Sequence, residues 1–84
     1  MTGIKGTGMA ALAEILHHRG ARISGSDVAE QFFTDGILQR IGIVPRVGFA
    51  PGHISGETQC LIYSAAYDKS NPERQEAIRR GIPQ

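Results

Sequence analysis

The residues able to do chemistry gather near the amino end. Gly6-Thr7-Gly8-Met9-Ala10-Ala11 fits a GxGxxG/A pattern, with Ala11 in the third position, where a small side chain lets the following helix pack closely on a sheet. The earlier glycines permit positive φ and bring main-chain N–H groups to the helix start, where they and the macrodipole favour a phosphate. Asp27 follows Gly8 by about 20 residues, the interval at which an acidic side chain receives ribose hydroxyls. Together these describe a nucleotide diphosphate site. The plainer reading, in which the glycines only make a tight turn and Asp27 only caps the next segment, is disfavoured by the acidic residue standing at the right interval. Lys5, inside the glycine loop, is placed to approach a phosphate as a point charge. A P-loop would need GxxxxGK[ST], which is absent, so ATP is not expected on this segment.

The remaining reactive side chains are less informative. His17 and His18 are adjacent, point about 100° apart on a helix, and cannot share a metal; they read as solvated residues favoured by a helix C-terminus. His53, among Gly and Pro, reads as a surface loop histidine before a ligand contact. Cys60, in an apolar run, reads as a buried small hydrophobe before a nucleophile. No nucleophile is paired with a base and no metal-ligand spacing occurs.

These residues need elements to hold them. Met9, Leu12, Ala13 and Leu16 form one apolar helical stripe, so a helix is expected from about Thr7 to Arg19, stopped by Gly20. Ala21 to Gly25 suits a brief strand leading into a turn. Thr34 is a candidate N-cap for a second helix running to Ile41 before Gly42. Ile43 to Val47 suits an edge strand, because Pro45 cannot donate to a ladder. Thr58 to Ser64 is the best strand candidate, apolar enough for burial on both faces. Asn71-Pro72-Glu73 starts a third helix that Gly81 and Pro83 end, and Ile82 looks like the entrance to another strand. Short connections between alternating helices and strands imply parallel strands, hence an α/β, Rossmann-like sheet with flanking helices. The fingerprint requires a strand before it, and Met1 to Ile4 supply little of one. A sheet truncated at its first strand is therefore expected, with unpaired ladder groups on the neighbouring strands and self-association as one consequence.

The composition narrows the partners. In 84 residues, nine Lys plus Arg oppose eight Asp plus Glu, and a formal charge of +1 offers no field to hold nucleic acid or an anionic membrane. A 40% apolar share can build a core, the single cysteine permits no internal disulfide, and no apolar run approaches a bilayer span, so the chain reads as soluble and intracellular.

Gly3-Ile4-Lys5-Gly6-Thr7-Gly8-Met9, Ala13-Glu14-Ile15-Leu16, Ser24-Gly25-Ser26-Asp27, Tyr63-Ser64-Ala65-Ala66, Asn71-Pro72-Glu73 and Arg80-Gly81-Ile82-Pro83, in this order, closely resemble the N-terminal domain of the bacterial Mur ligases. Within that family the likeness is to the branch acting on UDP-N-acetylmuramate and L-alanine. The resemblance implies a three-domain cytoplasmic enzyme of peptidoglycan synthesis that uses ATP and Mg2+ through an acyl phosphate. Residues 1–84 would be its UDP-binding domain, with the ATP-binding and C-terminal domains lying elsewhere. Carried onto matching positions, Gly6, Thr7, Gly8 and Met9 would cradle the pyrophosphate, Ser26 and Asp27 would meet the uridine ribose, and Ser64, Ala65 and Ala66 would line the next strand end. No catalytic residue is implied in this segment. Two departures stand out: Lys5 replaces a common glycine, and Gly48-Phe49 replaces a glycine-histidine pair. They leave room for a relative acting on recycled muropeptides. The residues alone also suit a dinucleotide-binding domain of an NAD-dependent oxidoreductase.

Overall fold

A computed structural model describes residues 1–84. Helix α1 (Thr7–His18) is followed by strand β1 (Ser26–Asp27), helix α2 (Asp35–Arg40), strand β2 (Arg46–Val47), a 3-10 turn (Pro51–His53) and helix α3 (Pro72–Arg80). The fold is α/β, with β1 and β2 forming a two-stranded parallel sheet in which Ser26 pairs with Arg46 and Asp27 with Val47. Beyond this pair, Thr2 forms parallel bridges to both Ser26 and Tyr63. Thr2 N–H donates to the Ile62 carbonyl and Ser64 N–H to the Thr2 carbonyl, each at 2.9 Å. A single residue thus links β1 to the segment ending at Tyr63. Farther out, Leu61 N–H donates to the Pro83 carbonyl at 2.8 Å.

The apolar stripe explains α1, although Ala10 and Ala13, not Ala11, are its fully buried small residues, and Ala11 is exposed. They pack with Ile4, Leu38 and Ile43 in one cluster, while Ile54, Leu61 and Ala77 form a second with Ile82 against it. Complete burial of Ile4 and Leu38 contributes on the order of 1.5–3 kcal/mol each. Gly25 is required by this packing, since a Cβ there would lie 2.7 Å from the Ile4 Cβ.

Helix α3 begins as its sequence dictates. The Asn71 side chain accepts from Glu73 N–H at 2.9 Å, Pro72 takes the first helical position, and Gly81 closes the helix at φ 68°. Helix α2 departs from expectation at its start. Thr34 is itself near-helical and makes no side-chain cap; its hydroxyl donates instead to the Lys5 carbonyl at 2.6 Å, tying α2 to the glycine bend. The run from Thr58 to Ser64 does not form the expected strand: only Tyr63 makes a ladder bridge, to Thr2, and Cys60 is exposed. An open groove flanks that run where covering residues were expected, and this exposes the thiol. No helix is long and apolar enough to cross a membrane.

Candidate functional site

The glycine bend is built around Gly3, whose φ of 81° suits glycine. A Cβ there would also strike the Tyr67 ring at 2.7 Å and Ser64 Cβ at 2.9 Å. Gly6 has φ −59° and Gly8 is helical, so the positive φ expected of those two is found at Gly3 instead. Gly6 N–H donates to the Gly3 carbonyl at 3.1 Å, and Ala10 N–H returns to the Gly6 carbonyl at 2.8 Å. The N–H groups of Thr7, Gly8 and Met9 precede that first closed turn, find no acceptor in the chain, and stand at the positive end of α1. Gly6, Thr7 and Gly8 are exposed and no side chain caps them.

Asp27 faces this bend. Its carboxylate accepts Lys5 N–H at 2.8 Å and Val28 N–H at 2.7 Å, with the Tyr67 hydroxyl donating at 3.4 Å. A pocket of about 300 Å³, at the low end for a ligand site, collects Gly3, Lys5, Gly6, Thr7, Asp27, Ser64 and Ala66 with Phe32, Phe33 and Tyr67. Gly8, Met9, Ser26 and Ala65 do not line it. Ser26 is only 2% exposed, and its hydroxyl lies 2.9 Å from His53 Nδ1. Ser26 instead serves the bend through its main chain, its carbonyl accepting Gly3 N–H at 2.9 Å and Ile4 N–H at 3.3 Å. The Lys5 ammonium is turned away from the bend: it donates to the Glu30 carbonyl at 2.6 Å, lies 3.6 Å from Asp35, and sits 5.8 Å from the Phe32 ring centroid.

The sequence of residues 1–84 matches the family described as "Mur ligase family, catalytic domain" over its whole length. The chain belongs to the Mur ligase family. A UDP-N-acetylmuramate--L-alanine ligase of Treponema pallidum is 55% identical over 84 residues, covering 99% of this chain and 18% of the relative. Proteins of the same name from Desulfitobacterium hafniense and Aquifex aeolicus are 44% and 42% identical over 96% of the chain, covering 18% and 17% of their own lengths. The chain therefore spans about a fifth or less of the relatives it matches.

In this Mur ligase segment, two groups of residues escaped sequence reasoning. Tyr67 covers Gly3, packs on Phe49 with ring centroids 4.6 Å apart, and reaches Asp27. Burial raises its hydroxyl pKa, and the Asp27 charge adds to that effect. The second group surrounds Glu73, which is 2% exposed. Its carboxylate accepts the Thr2 hydroxyl at 2.7 Å, His53 Nδ1 lies 2.7 Å away, and Ala50 N–H donates at 3.3 Å. Burial alone would raise the Glu73 pKa, yet the donors from Thr2, His53, Ser26 and Ala50 together hold it below its ordinary value. His53 is thus a member of a buried network and not a free loop histidine. Ser26 and Glu73 both approach the same ring nitrogen, so the trio cannot relay a proton across the imidazole in the manner of a hydrolase triad. Its work is to hold the strand ends together. The capping position of Glu73 was visible in the sequence; its partners, up to 71 residues away, were not.

Proposed function

We propose that residues 1–84 form the UDP-binding N-terminal domain of an ATP-dependent UDP-N-acetylmuramate:L-alanine ligase of peptidoglycan synthesis, acting in the cytoplasm. The observation that carries this is the single pocket in which the bend, Asp27, Ser64 and Ala66 meet, within a chain 55% identical to a ligase of that name. The succession of parallel partners, Arg46 with Ser26, Ser26 with Thr2 and Thr2 with Tyr63, supports a Rossmann-like arrangement, and the bend follows its central segment. Relatives named for L-alanine favour that branch over one acting on recycled muropeptides, and family membership sets the oxidoreductase alternative aside.

Within this reading, the free amides of Thr7, Gly8 and Met9 hold the diphosphate. An ionised carboxylate offers about four acceptor positions. Asp27 uses three, one of them in the long contact from Tyr67, and so retains capacity for a ribose hydroxyl. Ser64 and Ala66 line the same pocket, and the Ser26 carbonyl positions the bend by accepting Gly3 and Ile4 N–H. ATP, Mg2+ and L-alanine belong to the whole enzyme. This segment offers neither a GxxxxGK[ST] loop nor a group of three metal-ligating side chains, and no step through those groups is assigned to it.

Titration of the 15N-labelled chain with UDP-N-acetylmuramate tests the assignment. Saturable shifts of the Thr7, Gly8 and Met9 amides, undiminished by excess NAD, are expected. Unchanged amides at saturating UDP-sugar would refute it.

A further inference from the structure

Tyr67 is held over the bend before any ligand arrives. Its ring covers Gly3, where a Cβ would come within 2.7 Å of the ring edge, and it packs on Phe49 with centroids 4.6 Å apart. Its main chain is fixed as well: Tyr67 N–H donates to the Ser64 carbonyl at 3.0 Å, and the Tyr67 carbonyl accepts Arg74 Nη1 at 3.2 Å. Arg74 is buried and lies 3.5 Å from the Tyr63 ring centroid, so this anchor is itself held. A contact fixed in advance costs little ordering when a ligand binds.

Of the three hydroxyls lining the pocket, those of Thr7, Ser64 and Tyr67, only that of Tyr67 reaches Asp27. The two carboxylate oxygens are unequally occupied. Oδ1 accepts Val28 N–H at 2.7 Å and the Tyr67 phenol at 3.4 Å, whereas Oδ2 accepts only Lys5 N–H at 2.8 Å. The open acceptor position is therefore on Oδ2. The phenol contact is long against the ~2.5–3.0 Å usual for O–H···O, and a phenol that donates keeps its oxygen free to accept. Burial raises the Tyr67 pKa above its ordinary value and the Asp27 charge adds to this, so the phenol keeps its proton at neutral pH.

We propose that Tyr67 determines sugar specificity at this site: Asp27 and Tyr67 together read a vicinal diol, one hydroxyl donating to Asp27 Oδ2 and its neighbour to the Tyr67 phenol oxygen. The inference rests on the UDP reading above. In nucleotide sites of this kind the acidic residue takes the ribose 2′ hydroxyl, which leaves the 3′ hydroxyl to Tyr67. Accepting that bond makes the phenol a stronger donor to Oδ1 and draws the long contact shorter. A nucleotide lacking either hydroxyl is disfavoured, each at a different atom of the pair.

Calorimetric titration of the chain and of its Tyr67→Phe variant with UDP, 2′-deoxy-UDP and 3′-deoxy-UDP tests the assignment, with amide spectra reporting the fold and the Thr7, Gly8 and Met9 shifts. Phe keeps the packing on Gly3 and Phe49 and removes only the hydroxyl. The parent should bind 3′-deoxy-UDP about 3- to 10-fold more weakly than UDP, the worth of one neutral hydrogen bond. In Tyr67→Phe, UDP should weaken by a similar factor and its advantage over 3′-deoxy-UDP should vanish, while its advantage over 2′-deoxy-UDP, supplied by Asp27, persists. A ring with a structural role alone would weaken all three nucleotides alike, and that result overturns the proposal. So does a parent chain that binds UDP and 3′-deoxy-UDP equally, a measurement that needs no variant. In either case UDP still binds, and only the diol reading falls. If no nucleotide moves the bend amides, the UDP reading fails and the diol reading with it.

Discussion

Replacing Asp27 with Asn separates the two tasks this carboxylate is proposed to perform. In the free chain it fastens the bend by accepting Lys5 N–H at 2.8 Å and Val28 N–H at 2.7 Å. Asn retains one carbonyl oxygen and can keep one of those bonds, so the loss is one charge-assisted bond at a buried position, about 1–2 kcal/mol. A domain of this length has roughly 4–13 kcal/mol of stability, so the variant should remain folded. Ala would remove both acceptors, cost about 2–4 kcal/mol, and confuse binding with unfolding. Toward ligand, Asn loses the charged acceptor for a ribose hydroxyl, a bond of about 1.5–3 kcal/mol, or roughly 10- to 150-fold in Kd for UDP. Inorganic pyrophosphate carries no ribose and should bind the variant as well as it binds the parent, or slightly better with a negative charge removed. Calorimetric titration of both ligands, with amide spectra confirming the fold, measures the contrast. If affinity for UDP and pyrophosphate falls by the same factor, Asp27 serves only to hold the bend and the ribose contact is refuted.

Gly8→Asp should leave the fold intact or stabilise it by about 0.3–1 kcal/mol, because a Cβ at Gly8 meets no atom within 4 Å and a carboxylate suits a helix N-terminus. UDP binding should nevertheless be lost through repulsion of the diphosphate; a variant that binds normally would remove the bend from the site. The depressed Glu73 pKa contributes stability that is fully present above its ordinary value of 4.5 and is lost as pH falls through the lower folded value. Glu73→Gln should therefore be less stable at pH 7 by about 1–3 kcal/mol and show a shallower acid limb, checked by Tm across pH 2.5–7. Gly25→Ala should cost about 1–3 kcal/mol, since the new methyl would sit 2.5 Å from Ile4 Cδ1 and 2.7 Å from its Cβ. Ile4→Val removes the nearer atom, so chemical denaturation of the double variant should give less than the sum of the two losses.

The parts legible in the sequence are those written within a few residues of each other. Asn71, Pro72 and Gly81 fix α3 by capping and dihedral preference, and they occupy the positions their types require. The apolar stripe gave α1, and the bend and Asp27 share a pocket as their spacing suggested. Local rules failed where a distant partner claimed the side chain. Thr34 reads as a cap, but the Lys5 carbonyl, 29 residues away, takes its hydroxyl. Ser26 reads as a ligand contact, but His53 takes its hydroxyl from 27 residues away. Cys60 reads as core because its neighbours are apolar, yet burial depends on what lies across the groove, and local hydropathy does not encode that.

The same long-range contacts explain how so short a sheet can hold a precise bend. Thr2 is the residue through which β1 and the Tyr63 segment are joined, and its hydroxyl is fixed by Glu73. Gly3 comes directly after it, and its N–H is held by the Ser26 carbonyl. The Ser26 side chain returns to His53, which also meets Glu73, so the circuit closes on one buried carboxylate. Asp27, next along β1, then fixes Lys5 on the far side of the bend. The amides proposed to receive the diphosphate are thus positioned from both ends by charged acceptors, Glu73 behind the strand ends and Asp27 in front. Charge-assisted bonds of this kind are stronger than neutral ones and keep their strength where burial is high. Loss of Glu73 should for that reason loosen the proposed nucleotide site as well as the core, although Glu73 lies outside that pocket.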